Sequence, residues 1–466
     1  MDDAIERTYD QLLKGSKKWH ILTYLCWVIP ANIVLALFSM SVVFTAGVPD
    51  YHCTVSDNTS LPRKKNGEPE TCLIYSNLTS VNTTEKCSHW TYPDKEYGVT
   101  IVSEWDLVCD HNYLGELSQS FYIMGAIAAT LLVSPLADIY GRKLLFLVIN
   151  GSLVFTGIGA AYAVNYAMFA AFRVLNGMAG EACLMIAIVA AVELFPKNLR
   201  TFAGQIMFVW WSIGLMLLDL MAYFIRNWRH LQLAVAIMPV ITIIDIWLIP
   251  ESVPWLLSKG KVEQAEEIVK KAAAFNGTLL PEHPFEEQAE VEEEKELGRM
   301  TLFREPILRR ITFILFALWF VNNLVYYGLS LSAAELAGDR FLNFFLMALV
   351  EIPATICCMF VLERNTGSGT SSFTAPVAGT LAPFAAYLAR VVPWAPGVIF
   401  GVMSLFVGIL ALLLPETRGR SLPHTVEDMK QWHLPSLTCG SSNRRKKIKS
   451  VNVHSNGEKG QATTLL

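Results

Sequence analysis

The chain has 466 residues, of which 53% are hydrophobic and only 17% charged, with a formal net charge of −4. A length prior of roughly 150 residues per domain would give about three soluble domains, yet the apolar residues gather in long uncharged blocks that would be exposed patches in water and are spans in a bilayer. The composition excludes a water-soluble globule, and the slight charge imbalance leaves no electrostatic footprint for nucleic acid.

Met1 to Lys18 mixes acids with bases and reads as a cytoplasmic N-terminus, residues 1–18. The apolar run Ile21 to Ala46 is too long for a signal-peptide core and contains Pro30, so it is a retained first span. The loop 49–116 carries acceptor sequons at Asn58, Asn77 and Asn82 and four of the nine cysteines, Cys53, Cys72, Cys87 and Cys109. Clustered sequons with an even set of cysteines predict an extracellular loop with two disulfides, each stabilising it by about 2–4 kcal/mol, with all three pairings open. Cys26, Cys183, Cys357, Cys358 and Cys439 read as free thiols.

Leu117–Ala137, Leu144–Ala163 and Ile311–Ala334 are further spans without Asp, Glu, Lys or Arg. Four more carry charge: Ala167–Val192 (Arg173, Glu181), Phe202–Ile225 (Asp219), Leu231–Ile249 (Asp245) and Phe341–Leu362 (Glu351). Phe373–Leu414 is a 42-residue stretch with Arg390 as its only charge, and Pro393 and Pro396 divide it into two helices, for ten spans in all. Lys14, Lys17, Lys18, Arg142, Lys143, Lys197 and Arg200 then share one side, which is the cytoplasmic one, while Arg226 and Arg229 fall opposite. Ten is even, so the tail 416–466, with its basic run Arg444 to Lys449, also returns to the cytoplasm and reads as a solvated segment. The sequon at Asn276 lies in the cytoplasmic loop and is expected to be silent. That loop, 251–310, shows helical spacing at Val262, Ala265, Ile268, Val269 and Ala272, with Glu266–Lys270 and Glu267–Lys271 pairs four apart. It reads as amphipathic helices beneath the bundle, followed by an acidic linker from Glu286 to Glu296.

IPESVPWLLSKG (249–260) after the sixth span and LPETRGRSLP (414–423) after the last are matching exit signals. They imply two homologous halves, 19–250 and 311–415, with a substrate site between them near the midplane. SPLADIYGRK (134–143), at the second cytoplasmic turn, resembles the Gly-x-x-x-Asp-x-x-Gly-Arg loop of the major facilitator superfamily, with Ser134 in place of the first glycine. Asp138 sits at the helix exit, Gly141 permits the turn, and Arg142 can pair with acids on neighbouring helix ends. Such pairs would close the cytoplasmic side. ELFPKNLR (193–200), PESVPWLL, WFVNNLVYYGL (319–329) and EIPA (351–354) narrow the likeness to the organic ion transporters of solute carrier family 22, most similar to the organic cation/carnitine branch, over residues 19–432. Pro254 departs from the family's usual arginine. The resemblance implies an all-α membrane bundle of two pseudo-repeats, no cofactor and no enzymatic activity, and a cytoplasmic gate of Asp138, Gly141, Arg142, Glu193, Arg200, Glu251 and Glu416. Asp245 is placed with that gate network.

The second half looks shortened. Arg364 opens RNTGSG (364–369), the counterpart of the family's eleventh span, while everything before Glu363 matches the eighth. Two helices and their links would need roughly 60–75 residues. Ten spans stand here in place of twelve, and the second copy of the Asp-x-x-Gly-Arg loop is gone.

An intramembrane acid costs about 2.5–3.5 kcal/mol on insertion scales and is a functional candidate by default. Glu181 and Asp219 are therefore read as contacts for a cationic substrate, with an ion pair to Arg173 as the competing role for Glu181, and Glu351 as site or packing. Organic cations bind ring faces. Trp319, Asn322, Tyr326 and Tyr327 share a face that, by resemblance, lines the cavity, with Phe121 and Trp211 as weaker candidates. Where the family's eleventh span distinguishes cation from anion carriers, this chain has Pro376, which discriminates nothing. The expected function is transport of a small organic cation or carnitine-like zwitterion by alternating access at the plasma membrane; the alternative is a non-transporting glycoprotein that acts by association, as in pairing with full-length subunits.

Overall fold

The computed structural model describes residues 8–9, 11–12, 17–54, 62, 70–75, 84–93, 98–244, 249–281, 284–285, 304–333, 339–364 and 395–411. Five long helices build the first half: α1 (Lys18–Met40), α2 (Tyr113–Tyr140), α3 (Arg142–Ala161), α4 (Tyr166–Leu194) and α5 (Lys197–Phe224). Next come α6 (Trp228–Ile237), α7 (Pro239–Ile244), α8 (Val253–Ser258) and α9 (Val262–Asn276). The second half contributes α10 (Pro306–Ala333), α11 (Arg340–Arg364) and α12 (Ala395–Ala411). Seven helices among the described residues are long and apolar enough to cross a membrane, namely those built on α1 to α5, α10 and α11.

The sixth predicted span is not one helix. It breaks at Met238 between α6 and α7, because Pro239 has no N–H to donate to the turn behind it. Asp245 lies outside the described residues, as does the first part of the long stretch before Ala395; α12 covers the second.

Helices α2 and α4 pack backbone to backbone. A side chain at Gly125 would meet the Val174 carbonyl, and one at Gly177 the Tyr122 carbonyl, so both positions exclude a Cβ. Arg173, buried on α4, ties three helices: it donates to Phe38 O at 3.0 Å and Ser41 Oγ at 3.3 Å on the α1 side and to Gln119 Oε1 of α2 at 2.8 Å. On α3, Asn150 donates to Phe146 O at 2.8 Å and accepts from Thr242 of α7 at 2.7 Å.

The loop 49–116 holds two small antiparallel pairs, β1 (His52–Cys53) with β4 (Trp90–Thr91) and β2 (Leu73–Tyr75) with β3 (Thr84–Lys86). Of the three open pairings the structure has the interleaved one, Cys53–Cys87 and Cys72–Cys109. Asn58, Asn77 and Asn82 lie outside the described residues. Glu104 anchors the loop: its carboxylate takes Trp228 Nε1 at 2.7 Å and two nitrogens of Arg229, at 2.5 and 3.0 Å, while Arg229 also donates to the Ala161 and Ala163 carbonyls. Partial burial pushes the Glu104 pKa up, but the hydrogen bonds from Arg229 and Trp228 and the Arg229 charge outweigh it and hold the carboxyl below its ordinary value. The two basic residues that break the charge bias are thus occupied, Arg229 here and Arg226 against Tyr223 O and the Phe341 ring.

Beneath the bundle, Tyr9 and Leu12 pack with Val253, Leu256, Ala265, Val269 and Ala272. The predicted pairs on α9 form at 3.2 Å (Lys270–Glu266) and 2.7 Å (Lys271–Glu267). Asn276 is buried, accepts the Trp19 N–H at the start of α1 at 3.0 Å and donates to Leu12 O at 3.4 Å, so its sequon is committed to the fold.

Candidate functional site

At one rim of the bundle the Asp-x-x-Gly-Arg turn is held by acids from two other segments. Gly141 links α2 to α3 with φ +92°, and a side chain there would strike Glu251 and Trp255. Arg142 donates to Glu193 of α4 at 2.9 Å and to Ala137 O at 3.0 Å, and lies 3.1 Å from the largely exposed Asp138. Glu251 accepts the backbone N–H of Arg142 at 2.9 Å and of Lys143 at 3.2 Å, capping α3 at the end where its dipole favours a carboxylate. Trp255 Nε1 donates to Asp138 O at 2.9 Å. Pro254 sits in the first turn of α8, where no intrahelical N–H is required. Asp138, Gly141, Arg142, Glu193 and Glu251 are therefore brought together, but all within the first half and its exit. The Arg200 side chain and Glu416 lie outside the described residues.

Between the halves, α11 runs along α5, and α10 meets the first half through polar and aromatic contacts. Trp211 Nε1 of α5 donates to Tyr326 Oη of α10 at 2.6 Å, and Ser212 Oγ donates to Glu351 Oε2 of α11 at 2.7 Å. Tyr326 also lies beside the Glu351 carboxylate, which closes a four-residue network across three helices. Glu351 is thus a contact between the halves. Deeper in α4, Glu181 interacts with Tyr122 of α2 and Tyr327 of α10, and Tyr327 stands next to Ser39 of α1. Glu181 has no hydrogen bond or ion pair among the described residues. The alternative pairing with Arg173 fails on distance: eight residues along a helix is about 12 Å, and Arg173 is spent on Phe38, Ser41, Gln119 and the Tyr122 ring, 4.7 Å from its centroid.

The remaining candidates are scattered. Asp219 is buried toward the C-terminal end of α5, facing Asp339 and Arg340 at the start of α11. Asp339 caps that helix, accepting from Phe341 N and Leu342 N, both at 2.9 Å. Above it, Phe341 stacks on Phe44 at 5.6 Å and meets Tyr223 edge-on at 5.6 Å. On α10, Asn322 is exposed, and Asn323 donates back to Trp319 O at 3.0 Å, so neither joins the Glu181 group. Ser39, Tyr122 and Ser212 were not picked out from the sequence, because a hydroxyl in an apolar run carries no periodic signal. Trp211, a weak candidate there, holds Tyr326.

A membrane bundle of two helical halves, with a stitched Asp-x-x-Gly-Arg turn in the first and a polar seam between them, is the architecture of a major facilitator, a membrane transporter and not an enzyme. The profile of the family described as "Sugar (and other) transporter" matches residues 74–367, and the chain belongs to that family. Its relatives include the "Organic cation transporter protein" of Drosophila melanogaster, 31% identical over 507 residues and covering 89% of this chain and 92% of that one. The "Organic cation/carnitine transporter 2" of Rattus norvegicus is 29% identical (93% of this chain, 97% of that one), and the "Organic anion transporter 3" of Homo sapiens 28% (84% and 88%). With these relatives the chain falls among the solute carrier family 22 transporters. Among solved structures, the proton:xylose symporter XylE bound to 6-bromo-6-deoxy-D-glucose shares the fold at a TM-score of 0.54 and 13% identity, over 89% of this chain and 99% of that one.

Proposed function

We propose that this chain moves organic cations by alternating access, with Glu181 as the anionic anchor of the site. The observation that carries the reading is Glu181 itself, an acid facing Tyr122 and Tyr327 where α4 approaches α10, without an ion-pair partner among the described residues. A half-buried intramembrane carboxylate with unused acceptor sites favours a positively charged ligand. Tyr326, Tyr327, Trp319 and Glu351 complete the second half's wall, without the exposed Asn322, and Asp219 lies on the outer approach. A membrane potential supplies about 2.3 kcal/mol per charge per 100 mV, enough to drive uptake without a coupled ion. We place the protein in the plasma membrane with both termini cytoplasmic and the loop 49–116 outside.

The form described by this sequence lacks two spans after Glu363. The alignment with the Drosophila relative runs over 507 residues, more than the 466 of this chain, which supports that reading. A second reading, a glycoprotein that associates without transporting, draws support from α11, where only 22% of the apolar window is buried. Uptake of a labelled organic monocation separates them, measured in cells expressing this chain, its Glu181→Gln variant and a version with the two spans restored. Transport by this chain that drops at least about tenfold in Glu181→Gln, the loss expected of a charge-assisted contact, supports the first reading. If the chain reaches the surface, it and its variant match mock cells, and the restored version transports, the second stands.

A further inference from the structure

The anchor at Glu181 is surrounded by hydrogen-bonding atoms rather than by open ring faces. Tyr122 Oη and both side-chain polar atoms of Asn176 are buried and have no hydrogen-bond partner among the described residues. Tyr122 Oη rests against Gly180, the residue before Glu181, and Asn176 is one helical turn behind Gly180 on the same side of α4. Meanwhile part of the ring surface that would cradle a cation is already used. The Arg173 guanidinium covers one face of the Tyr122 ring at 4.7 Å, and Tyr326 and Tyr327 meet edge to face at 5.6 Å, which occupies one face of one of them.

Resting on the cation reading above, we infer that the site selects ammonium ligands that carry an N–H, meaning protonated primary, secondary or tertiary amines, over quaternary ammonium. An ammonium that carries N–H can donate to Glu181 and to the Tyr122 hydroxyl oxygen, whereas a quaternary nitrogen has no donor and depends on ring faces. A site built to hydrogen-bond its ligand rejects the analogue that lacks the donor, because its own polar atoms are then left unpaired under a ligand.

The test is competition binding to the purified full-length chain in lipid nanodiscs, with triethylammonium and tetraethylammonium, which differ in one N–H. Triethylammonium is expected to bind at least about tenfold tighter, the ratio that one charge-assisted hydrogen bond gives. Tyr122→Phe keeps the ring under Arg173 and removes only the hydroxyl; it is expected to weaken the tertiary amine several-fold and leave the quaternary ion unchanged, narrowing the ratio. Glu181→Gln is expected to weaken both. Equal binding of the two ions, or tighter binding of the quaternary one, overturns the N–H selectivity and leaves the cation reading intact. Binding of neither overturns the cation reading and the selectivity together.

Discussion

The two halves of the molecule are held by different means. In the first, 61% of the apolar window of α1 and 50% of that of α4 are buried; in the second the figures fall to 33% for the window in α10 and 22% for that in α11. The first half also fastens its charges internally, Arg142 to Glu193 and Arg173 to α1 and α2, and lets helices touch at Gly125 and Gly177. The second half packs α10 on α12 through Leu324 and Phe400, but its polar bonds run to its neighbour, through Trp211–Tyr326 and Ser212–Glu351. A closed bundle is a body that can rotate as one piece. A half whose polar bonds lie on the shared seam is the one whose arrangement changes when the seam opens.

Substitutions that probe this contrast are ranked by their expected size. Arg173→Ala strips a buried cation from three helices and leaves Gln119 and the Phe38 carbonyl unpaired, so it is expected to cost about 3–5 kcal/mol, read as loss of surface expression and of the thermal midpoint in detergent. Gly141→Ala forces a side chain into a left-handed turn and against Glu251, at about 1–2 kcal/mol, and the same melt should register it as a smaller drop. Acidification acts on the Glu104 anchor. Because its folded pKa lies below the ordinary value of 4.5, the stability it contributes is fully present above that value and fades as the pH falls through the folded one. Hydrogen exchange in the loop around Trp228 should rise over that window in the native protein, and Glu104→Gln should abolish the pH dependence. Val350→Ala, on the exposed side of α11, should stay within about 0.5 kcal/mol of the parent; a larger drop would mean that the second half is packed as tightly as the first.

Much of this was legible in sequence where the cause is local. Apolar runs gave the spans, the Asp138-to-Arg142 spacing put both charges on one turn, and Glu266 and Glu267 sat four residues from their lysines. Pro239 was equally local, and the helix break before it could have been read from the missing N–H. Contacts between distant segments were not legible. Glu251 caps a helix that starts 109 residues earlier, and Asn276 reaches Trp19 across 257 residues; no spacing rule connects either pair. The cysteine pairing was open for the same reason. In the candidate site, the acids stood out by their cost in an apolar run, whereas Tyr122 and Ser39 acquired meaning only once α1, α2 and α10 surrounded α4.

The crossed connectivity of Cys53–Cys87 and Cys72–Cys109 has a mechanical corollary for the loop 49–116. A protease that cuts once anywhere between the first and last of these cysteines finds at least one bridge spanning the cut, so a nicked molecule keeps its full mass on a non-reducing gel. The fragments part company only when a reductant follows the protease.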